Sequence, residues 1–493
     1  MKTQFDLLSH STGSLAAITG GTVIREGTSS HRGLITDSRI AEPGNIFLAL
    51  RGENADGHNF IGGAVTRGAT CVIAERVAEE TMRSIPHDCA VILVPNTLAA
   101  LGALGRWHML RTNPYVIAVT GSVGKTTTKQ MIHAVLAAAH PTMRTEGNYN
   151  NEIGLPLTLM QLKETDRIAV LEAGMSYPEE LHRLSLICTP DTVVITNIGT
   201  SHIENLGSRE GIRDAKLEML DGMKPGGTVI LNGDEPLLTE KREEILARGL
   251  RLIYIAKENQ TADYLAENIR MTTQDCTFDM RCTADNTVIC DLHIPVTGEH
   301  NVGNAMAAYL CGKAQNMTDA DIRRGLDAFE NTGMRQKIFD WHGTTVIEDC
   351  YNASPESMEA ALRVLCTLSR EKSSGKAVAV LGDMKELGTY APRLHKRVGR
   401  FLAENGIDRL VTVGAEAADI AAGAVIGGMS EAHILQFPDA ADAQIPVIAD
   451  ALRDVLTEGD TVLFKASRAM ALERIVNALT TEPPSPREVA RNA

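Results

Sequence analysis

The feature that most constrains this chain is a short apolar run followed at once by a glycine-bounded turn. Residues 115–119 read YVIAV, as in a buried parallel strand, and residues 120–128 read TGSVGKTTT. The residues from Lys129 to Ala139 then have the pattern of a helix. Glycines in such a loop let backbone N–H groups approach phosphate oxygens, and the start of the helix adds its partial positive charge. The order strand, loop, helix therefore predicts a phosphate-binding loop in an α/β fold.

Two side chains of this loop have specific expected tasks. Lys125 would reach the β- and γ-phosphates of a nucleotide, and the hydroxyl of Thr126 would hold Mg²⁺. The loop departs from the commonest motif, because Val119 stands where a glycine is usual. A nucleotide-free interpretation of the GKT tripeptide stays open at this point. The residues expected to contact the nucleotide here are Gly121, Ser122, Val123, Gly124, Lys125, Thr126 and Thr127.

Length and charge bound what the rest of the chain can do. With 493 residues the chain is too long for one ordinary core, which predicts two to four domains. The net charge of −14 argues against general nucleic-acid binding but leaves room for a local cationic pocket. No signal peptide or membrane-spanning run is apparent, and the nine cysteines form no CxxC pair. A reduced, cytoplasmic protein without membrane insertion is the expectation.

Residues 1–112 are predicted to form a small α/β domain, since short apolar segments alternate with turn residues. The stretches 36–39 (TDSR) and 52–58 (GENADGH) combine small polar residues, an arginine and glycines. Such residues could cradle a nucleotide diphosphate. Ordinary turns with a solvated arginine are the alternative.

Residues 113–331 alternate strand and helix patterns, which predicts a mostly parallel sheet. Polar residues follow the strand-like runs, with Glu172 after one run and Asn197 and His202 after another. Ligands of open α/β sheets bind at the carboxyl ends of the strands. Glu172 is therefore expected to meet the phosphate loop, although a structural strand-end carboxylate is the alternative.

Residues 332–493 are predicted to form a second α/β set, Rossmann-like, with strands at 377–381, 410–413 and 461–464. The stretch 382–388 (GDMKELG) follows the first of these strands, and its Lys385 is expected to face water. The final residues, 482–493, are rich in proline and charge and are expected to form a disordered tail.

Several stretches taken together resemble the Mur ligases, the ATP-dependent amide-forming enzymes of peptidoglycan synthesis. TGSVGKTTT is similar to the shortened phosphate loop of that family, and residues 197–202 (NIGTSH) resemble its strand that ends in a metal-facing histidine. Residues 215–218 (AKLE) resemble the site of a carbamylated lysine, and residues 298–304 (GEHNVGN) resemble the stretch that contacts adenine. The resemblance implies three domains: 1–112 for a UDP substrate, 113–331 for ATP and 332–493 at the C-terminus.

Two further stretches indicate a branch of the family. Residues 145–156 (TEGNYNNEIGLP) and 349–358 (DCYNASPESM) resemble the branch that joins D-alanyl-D-alanine to a UDP-muramoyl tripeptide. The Asp-Asn-Pro-Arg motif of the enzyme that adds the third peptide residue is absent. The implied reaction transfers the γ-phosphoryl of ATP to a carboxylate, and an amine then attacks the acyl phosphate.

The resemblance also implies roles for particular residues. Lys125, His202 and a carbamylated Lys216 would be catalytic, with Mg²⁺ held by Thr126, Glu172, His202 and Lys216. ATP would also be held by Asn301, Arg335 and Asp349. Substrate contacts are expected from Ser38, Arg39, Asn54, Ala55, Asn148, Asn151, Asn352 and Ser354.

Alternatives remain open from the sequence. Without carbamylation, Lys216 would be a helix-surface lysine paired with Asp214 or Glu218. Another ligase of the same group is the nearest alternative, either the enzyme that adds the third peptide residue or a folylpolyglutamate synthase. A nucleotide-dependent switch would use the loop without ligation, although no Asn-Lys-x-Asp guanine-reading motif follows any strand. A monomer is the expected state.

Overall fold

Three sheets with helices packed on them form the molecule, and together they confirm the predicted α/β class. The computed structural model describes residues 11–27, 31, 33–52, 55–331, 333–370 and 375–481. The expected substrate contact Asn54 and the expected tail at 482–493 lie outside the described residues.

The first sheet has five strands in the order β1-β5-β4-β3-β2, parallel except for β1 at its edge. Its strands are β1 (Thr22–Arg25), β2 (Leu34–Ile35), β3 (Ile46–Leu48), β4 (Cys71–Ala74) and β5 (Ala90–Leu93). Its helices are α1 (Thr12–Thr19), α2 (Ile61–Thr66), α3 (Glu79–Ser84) and α4 (Thr97–Thr112). Helix α4 leads directly into the second sheet and packs on helices of that unit.

The second sheet has nine strands in the order β14-β13-β12-β11-β10-β9-β6-β8-β7. Strand β13 pairs antiparallel with both of its neighbours, β12 and β14. Its strands are β6 (Tyr115–Thr120), β7 (Thr142–Arg144), β8 (Ile168–Glu172), β9 (Thr192–Ile195), β10 (Thr228–Asn232), β11 (Arg251–Ala256), β12 (Tyr264–Met271), β13 (Cys276–Cys282) and β14 (Val288–Ile294). Its helices are α5 (Lys125–Ala137), α6 (Gly154–Leu159), α7 (Glu180–Cys188), α8 (Ile203–Leu206), α9 (Arg209–Leu217), α10 (Pro236–Thr239), α11 (Arg242–Ala247), α12 (His300–Ala314) and α13 (Asp319–Asp327).

The third sheet has six strands in the order β15-β16-β20-β17-β18-β19, parallel except for the edge pair β15-β16. Its strands are β15 (Lys337–Trp341), β16 (Thr344–Glu348), β17 (Ala377–Gly382), β18 (Arg409–Val413), β19 (Ile434–Phe437) and β20 (Thr461–Lys465). Its helices are α14 (Pro355–Arg370), α15 (Ala391–Glu404), α16 (Ala418–Ile426), α17 (Gln444–Val455) and α18 (Glu473–Thr480).

Strand β6 shows why the central sheet forms. Ile117 and Val119 pack into one buried cluster with α5 and α12, whereas Val116 and Ala118 pack into the cluster on the opposite face. Both faces of the strand are covered, so residues 116–119 are all apolar and the sequence shows no alternation. The parallel register places Val119 beside Glu172, and Thr120 beside Ile195. The carboxyl ends of β6, β8 and β9 therefore meet at one edge of the sheet.

Two further observations concern membrane-spanning helices and the cysteines. Among the residues that the structure describes, no helix is long and apolar enough to cross a membrane. All nine cysteines are free thiols, and only Cys282 and Cys290 are not buried.

Candidate functional site

The phosphate loop connects β6 to α5, and its glycines allow a close approach to the neighbouring strand. Gly121 has φ +143°, and a Cβ there would lie 1.9 Å from Thr196 Oγ1. Gly124 has φ +86° and precedes α5. The helix begins at Lys125, four residues earlier than predicted, because the left-handed glycine turns the chain directly into the first helical turn. The backbone N–H groups of that turn and Lys125 itself consequently lie at the loop.

Neighbouring residues hold the loop in shape. The Val123 N–H donates to Asn197 Oδ1 at 2.9 Å, and the Gly199 N–H donates to Ser122 Oγ at 2.8 Å. The Lys125 ammonium donates to the Gly121 carbonyl at 2.8 Å, within the loop itself. Burial lowers the pKa of Lys125, which the nearby Glu172 carboxylate partly opposes. The ammonium thus lies over the loop that is predicted to hold phosphate.

Glu172, the last residue of β8, is buried beside the loop. Its Oε1 accepts a hydrogen bond from Asn150 Nδ2 at 2.8 Å, and its Oε2 lies 3.1 Å from the ammonium of Lys129. Burial alone would raise the pKa of the Glu172 carboxyl, but the charges of Lys129 and Lys125 outweigh burial and hold that pKa below its usual range. The carboxylate is therefore ionised and faces a cationic neighbourhood.

Lys216 lies near the end of α9 and is only 2% exposed. Its ammonium forms no hydrogen bond or ion pair with the part of the chain that the structure describes. Asp214 pairs with Arg213, and Glu218 instead accepts the backbone N–H groups of residues 179 and 182. The surface pairing considered from the sequence is therefore absent from the described residues. Burial, and secondly the charge of Lys125, holds the pKa of Lys216 well below its ordinary value.

His202 lies just before α8 and has φ +62°. Its Nδ1 lies 2.6 Å from Oε2 of Glu386, which belongs to the loop after β17. The third sheet therefore contacts the central sheet at the predicted histidine. Lys385, in the same loop, is exposed as expected and also pairs with Asp383 and Glu416 at 2.9 Å each.

A cleft between the second and third sheets brings several of the predicted residues together. Arg335 stacks on the Tyr351 ring at 4.0 Å, and Asp349 pairs with Lys465 at 2.5 Å. The predicted residues that line this cleft are Ser122, Val123, Gly124, Lys125, Thr126, Thr127, Asn301, Arg335, Asp349, Asn352 and Ser354. The cleft thus joins the phosphate loop to residues more than 200 positions further along the chain.

The remaining predicted substrate residues lie elsewhere. Arg39 pairs with Asp37 at 2.7 Å and its side chain is 84% exposed, in the short turn that also contains Ser38. Ala55 and Asn148 are exposed. Asn151 Oδ1 accepts the Gly154 N–H at 2.8 Å at the start of α6. None of these residues lines the cleft at the phosphate loop.

Sequence reasoning missed three residues of this region. The sequence pattern places Lys129 in a helix without a role, and it indicates Asn148 and Asn151 rather than Asn150. Lys465 follows a predicted strand at the edge where ligands bind, but the sequence assigns it no specific role. A signal for Lys129 was present, because a lysine four residues after Lys125 lies one helical turn along the same face. Asn150 and Lys465 depend on partners that are distant in sequence.

Comparison with known protein families supports this architecture along most of the chain. Residues 31–106 match the Mur ligase family catalytic domain, residues 119–312 the Mur ligase middle domain, and residues 334–468 the Mur ligase glutamate ligase domain. The chain belongs to the Mur ligase family.

Two curated relatives and two solved structures are similar over nearly the whole length. The UDP-N-acetylmuramoyl-tripeptide–D-alanyl-D-alanine ligase of Bacillus subtilis is 39% identical, over 92% of this chain and 93% of the relative. The enzyme of that name from Escherichia coli is 31% identical, over 90% of this chain and 92% of the relative. A crystal structure of MurF from Acinetobacter baumannii has a TM-score of 0.85 at 31% identity, over 98% of this chain and all of that one. The structure of MurF ligase from Thermotoga maritima in complex with ADP has a TM-score of 0.78 at 27% identity, over 93% of this chain and 98% of that one.

Proposed function

We propose that this chain is an ATP-dependent ligase that joins D-alanyl-D-alanine to a UDP-N-acetylmuramoyl tripeptide. The products are the pentapeptide precursor of peptidoglycan, ADP and phosphate. The observation that carries the proposal is the cleft in which the phosphate loop faces Arg335 and Asp349 of the third sheet. The relatives that match over nine-tenths of the chain carry the name of this activity.

The three sheets suggest a division of labour between three domains. Residues 1–112 bind the uridine diphosphate end of the first substrate, residues 113–331 bind ATP, and residues 332–493 close over the nucleotide. The protein acts as a monomer in the cytoplasm and binds small molecules rather than nucleic acid. The acidic net charge of −14 supports the last point.

ATP lies along the cleft in this proposal. The loop from Gly121 to Thr127 holds the β- and γ-phosphates with backbone N–H groups and the Lys125 ammonium. Arg335 adds a second cation from the opposite side, and its charge already acts on Lys125 and Glu172. Asp349 binds the ribose and Asn301 the adenine. Asn301 is held in place by its bond to the Thr297 carbonyl and by Asn304.

The residues present fit a magnesium ion beside the nucleotide. The Thr126 hydroxyl makes no hydrogen bond with the described residues, and Glu172 Oε2 is a buried carboxylate oxygen that accepts no hydrogen bond and has the Lys129 ammonium 3.1 Å away. One hydroxyl and one carboxylate, completed by phosphate oxygens and water, make up the donor set that Mg²⁺ prefers. Among the described residues, no three His, Cys, Asp or Glu side chains form a metal site without such additions. Bound Mg²⁺ offsets the repulsion between the phosphates and the attacking carboxylate.

Lys216 is carbamylated in this proposal. A buried amine with a lowered pKa and no carboxylate partner among the described residues loses its proton more readily than an ordinary lysine, and the neutral nitrogen can then bond to carbon dioxide. The product is an anion with two oxygens, which suits a hard cation. His202 and carbamylated Lys216 would then hold a second Mg²⁺.

The proposed chemistry proceeds in two steps. A carboxylate oxygen of the tripeptide attacks the γ-phosphorus of ATP, and the bond to the bridging oxygen breaks to release ADP. The amine of D-alanyl-D-alanine then attacks the acyl carbon, loses a proton and expels phosphate. Lys125 and Arg335 neutralise charge on the phosphoryl oxygens, which is the main demand of phosphoryl transfer. The closed cleft keeps water from the acyl phosphate.

Residues of all three sheet-containing units contact the uridine diphosphate and the peptide substrates in this proposal. Ser38, Arg39, Asn54 and Ala55 form the wall for the uridine diphosphate. Asn148 and Asn151 lie in the segment whose Asn150 binds Glu172, so a peptide bound there would approach the phosphate loop. Asn352 and Ser354 line the cleft from the third sheet and bind the peptide substrates.

The test is a product assay by mass. ATP, a UDP-muramoyl tripeptide and D-alanyl-D-alanine should give one amide product, with one phosphate released for each bond formed. Omission of either substrate should abolish phosphate release. Ligation of a single third amino acid or of glutamate would instead indicate another ligase of the group. Phosphate release without either substrate would contradict a ligase and favour a nucleotide-dependent switch.

A further inference from the structure

The contact between His202 and Glu386 joins the central and third sheets at a residue that the proposed function makes a metal ligand. Nδ1 of His202 is buried and lies 2.6 Å from Glu386 Oε2 as an ion pair, without the angles of a regular hydrogen bond. Within the described part of the chain, no hydrogen bond to Nε2 of His202 is formed. One ring nitrogen therefore faces a carboxylate, and the other ring nitrogen is free.

The surrounding contacts show that this pair lies within a built interface. The Tyr390 hydroxyl donates to the Gly207 carbonyl at 2.7 Å. Glu356 lies in the first turn of α14, and both of its carboxylate oxygens accept from the Thr200 hydroxyl at 3.1 Å. Three separate contacts from the third sheet thus converge on the segment 200–207. Contacts with the third sheet therefore hold the segment 200–207, which includes α8, in place.

Both residues of the pair also have left-handed backbone conformations. His202 has φ +62° and Glu386 has φ +64°. Non-glycine residues in this region cost about 1–2 kcal/mol each, so such conformations persist where the surroundings require them. Histidine, like Asn and Asp, is enriched in this conformation, whereas glutamate is not. The larger strain therefore lies on Glu386, at the contact between the two sheets.

Carboxylates commonly orient metal-binding histidines. A histidine that binds a metal through one ring nitrogen usually donates the N–H of the other to a carboxylate or carbonyl group. This contact selects the tautomer and fixes the plane of the ring. The arrangement of Glu386, Nδ1 and the free Nε2 matches that pattern.

We infer that Glu386 is a positioning residue, which holds His202 through Nδ1 and leaves Nε2 to bind the second Mg²⁺. The carboxylate comes from the loop after β17, so the metal site is complete only when the third sheet is closed on the central sheet. This inference rests on the proposed function, because it takes His202 to be a metal ligand. It adds a residue to the site and a reason why domain closure and metal binding depend on each other.

The experiment is a titration with Mn²⁺, followed by electron paramagnetic resonance of the free ion, in the presence of a non-hydrolysable ATP analogue. Wild-type protein should bind two ions. Glu386→Ala should weaken the second ion about 10- to 100-fold and leave the first unchanged, as for loss of other groups that orient a metal ligand. Glu386→Gln keeps an acceptor oxygen for the Nδ1 hydrogen and should lose distinctly less.

Tyr390→Phe is the matched control, since it removes a hydrogen bond of the same interface without touching His202. It should leave the second ion within about 3-fold of wild type, a shift well below that expected for Glu386→Ala. If Tyr390→Phe weakens the second ion as much as Glu386→Ala, the glutamate acts only by holding the sheets together and the inference is wrong. Equal losses in the Gln and Ala variants would mean that the carboxylate itself binds the metal, which also overturns a positioning role.

His202→Gln separates this inference from the proposed function. If His202→Gln leaves both ions in place, the metal role proposed for the histidine fails and the inference falls with it. If His202→Gln removes the second ion while Glu386→Ala binds both ions like wild type, the metal role stands and only the positioning role of Glu386 is overturned.

Discussion

Cationic side chains gather around the phosphate loop of a chain whose net charge is −14. Lys125 and Arg335 line the cleft, and Lys129 pairs with Glu172. Lys216 is buried close enough for the charge of Lys125 to lower its pKa. The overall charge of the chain therefore says little about its active cleft. Local placement provides the cations that bound nucleotide and carboxylate require.

Lys125→Ala should reduce the rate of ligation at least 100-fold, since removal of one preorganised donor at a developing charge costs about 10²–10³ in rate. The fold should persist, because the ammonium bonds only to carbonyls of its own loop. Steady-state kinetics and circular dichroism measure the two effects. Lys163→Ala, at an exposed lysine away from the cleft, is the control and should behave as wild type. Near-normal turnover of Lys125→Ala would refute the nucleotide assignment.

Lys216→Ala should lose most activity, and a short carboxylic acid in the assay should restore part of it by filling the position of the carbamate. Lys216→Arg should not be rescued, because the guanidinium fills the same space with positive charge. Mass spectrometry of the native protein should show one added carboxyl group. Full activity of Lys216→Ala, or of Lys216→Arg, would show that carbamylation has no part in the reaction.

Glu172 and Lys129 illustrate which residues could be predicted from the sequence. Glu172 follows an apolar run, and parallel strands bring their carboxyl ends to one edge, so its place beside the loop followed from pattern alone. The partner of Glu172 did not, because a lysine in a helix is usually exposed and only the packing of α5 on β8 buries this one. His202 was likewise placed at a strand end, but its contact with Glu386 depends on how two separate sheets meet.

At the scale of elements, most strands that are buried on both faces were predictable, although β16 was missed, and most strands at sheet edges were not. The strands β6, β8, β9 and β10 lie within one residue of the apolar runs that predict them, at 116–119, 168–171, 192–195 and 228–231. The antiparallel extension β12–β14 was missed, because its strands are half-exposed and mix polar with apolar residues. The edge strands β15 and β19 were missed for the same reason. A strand that is buried on both faces has a continuous apolar run, which is easy to recognise in a sequence. Exposure of one face interrupts that run with polar residues.

The pair between α5 and β8 makes a prediction at this scale. Lys129→Met should destabilise the region around α5 by about 3 kcal/mol, since it leaves the Glu172 carboxylate buried with fewer partners. Hydrogen exchange of the α5 amides without nucleotide measures this local stability. The double variant Lys129→Met/Glu172→Gln should recover part of the loss, because the uncompensated charge is removed. A single variant as stable as wild type would show that Lys125 alone compensates Glu172.

At the scale of the whole molecule, the site is shared between sheets that are far apart in sequence. Asp349 and Lys465 lie 116 positions apart, and both face a loop that precedes them by more than 200 residues. Sequence patterns predicted the three sheets but carried no information on how the sheets are oriented. The family resemblance provided that link, because it named Arg335 and Asp349 as partners of the phosphate loop.

Arg335→Ala and Asp349→Ala should each raise the KM for ATP about 10-fold or more, which corresponds to about 1.4 kcal/mol of lost binding. Both residues lie outside the sheet that holds the phosphate loop, so the effect tests the closed arrangement. Arg400→Ala, at an exposed arginine of α15, should leave the KM unchanged. If the first two variants affect only the affinity for the dipeptide, the nucleotide does not span the cleft.

The central claim is that ATP activates the tripeptide carboxylate as an acyl phosphate, and the fate of the carboxylate oxygens tests it most directly. A UDP-muramoyl tripeptide labelled with ¹⁸O in its reacting carboxylate is incubated with ATP and D-alanyl-D-alanine, and the released phosphate is analysed by mass. The proposed chemistry transfers one labelled oxygen to phosphate and leaves the other in the new amide, so one ¹⁸O per phosphate is the expected result. Phosphate without label, or label in AMP, would contradict the account.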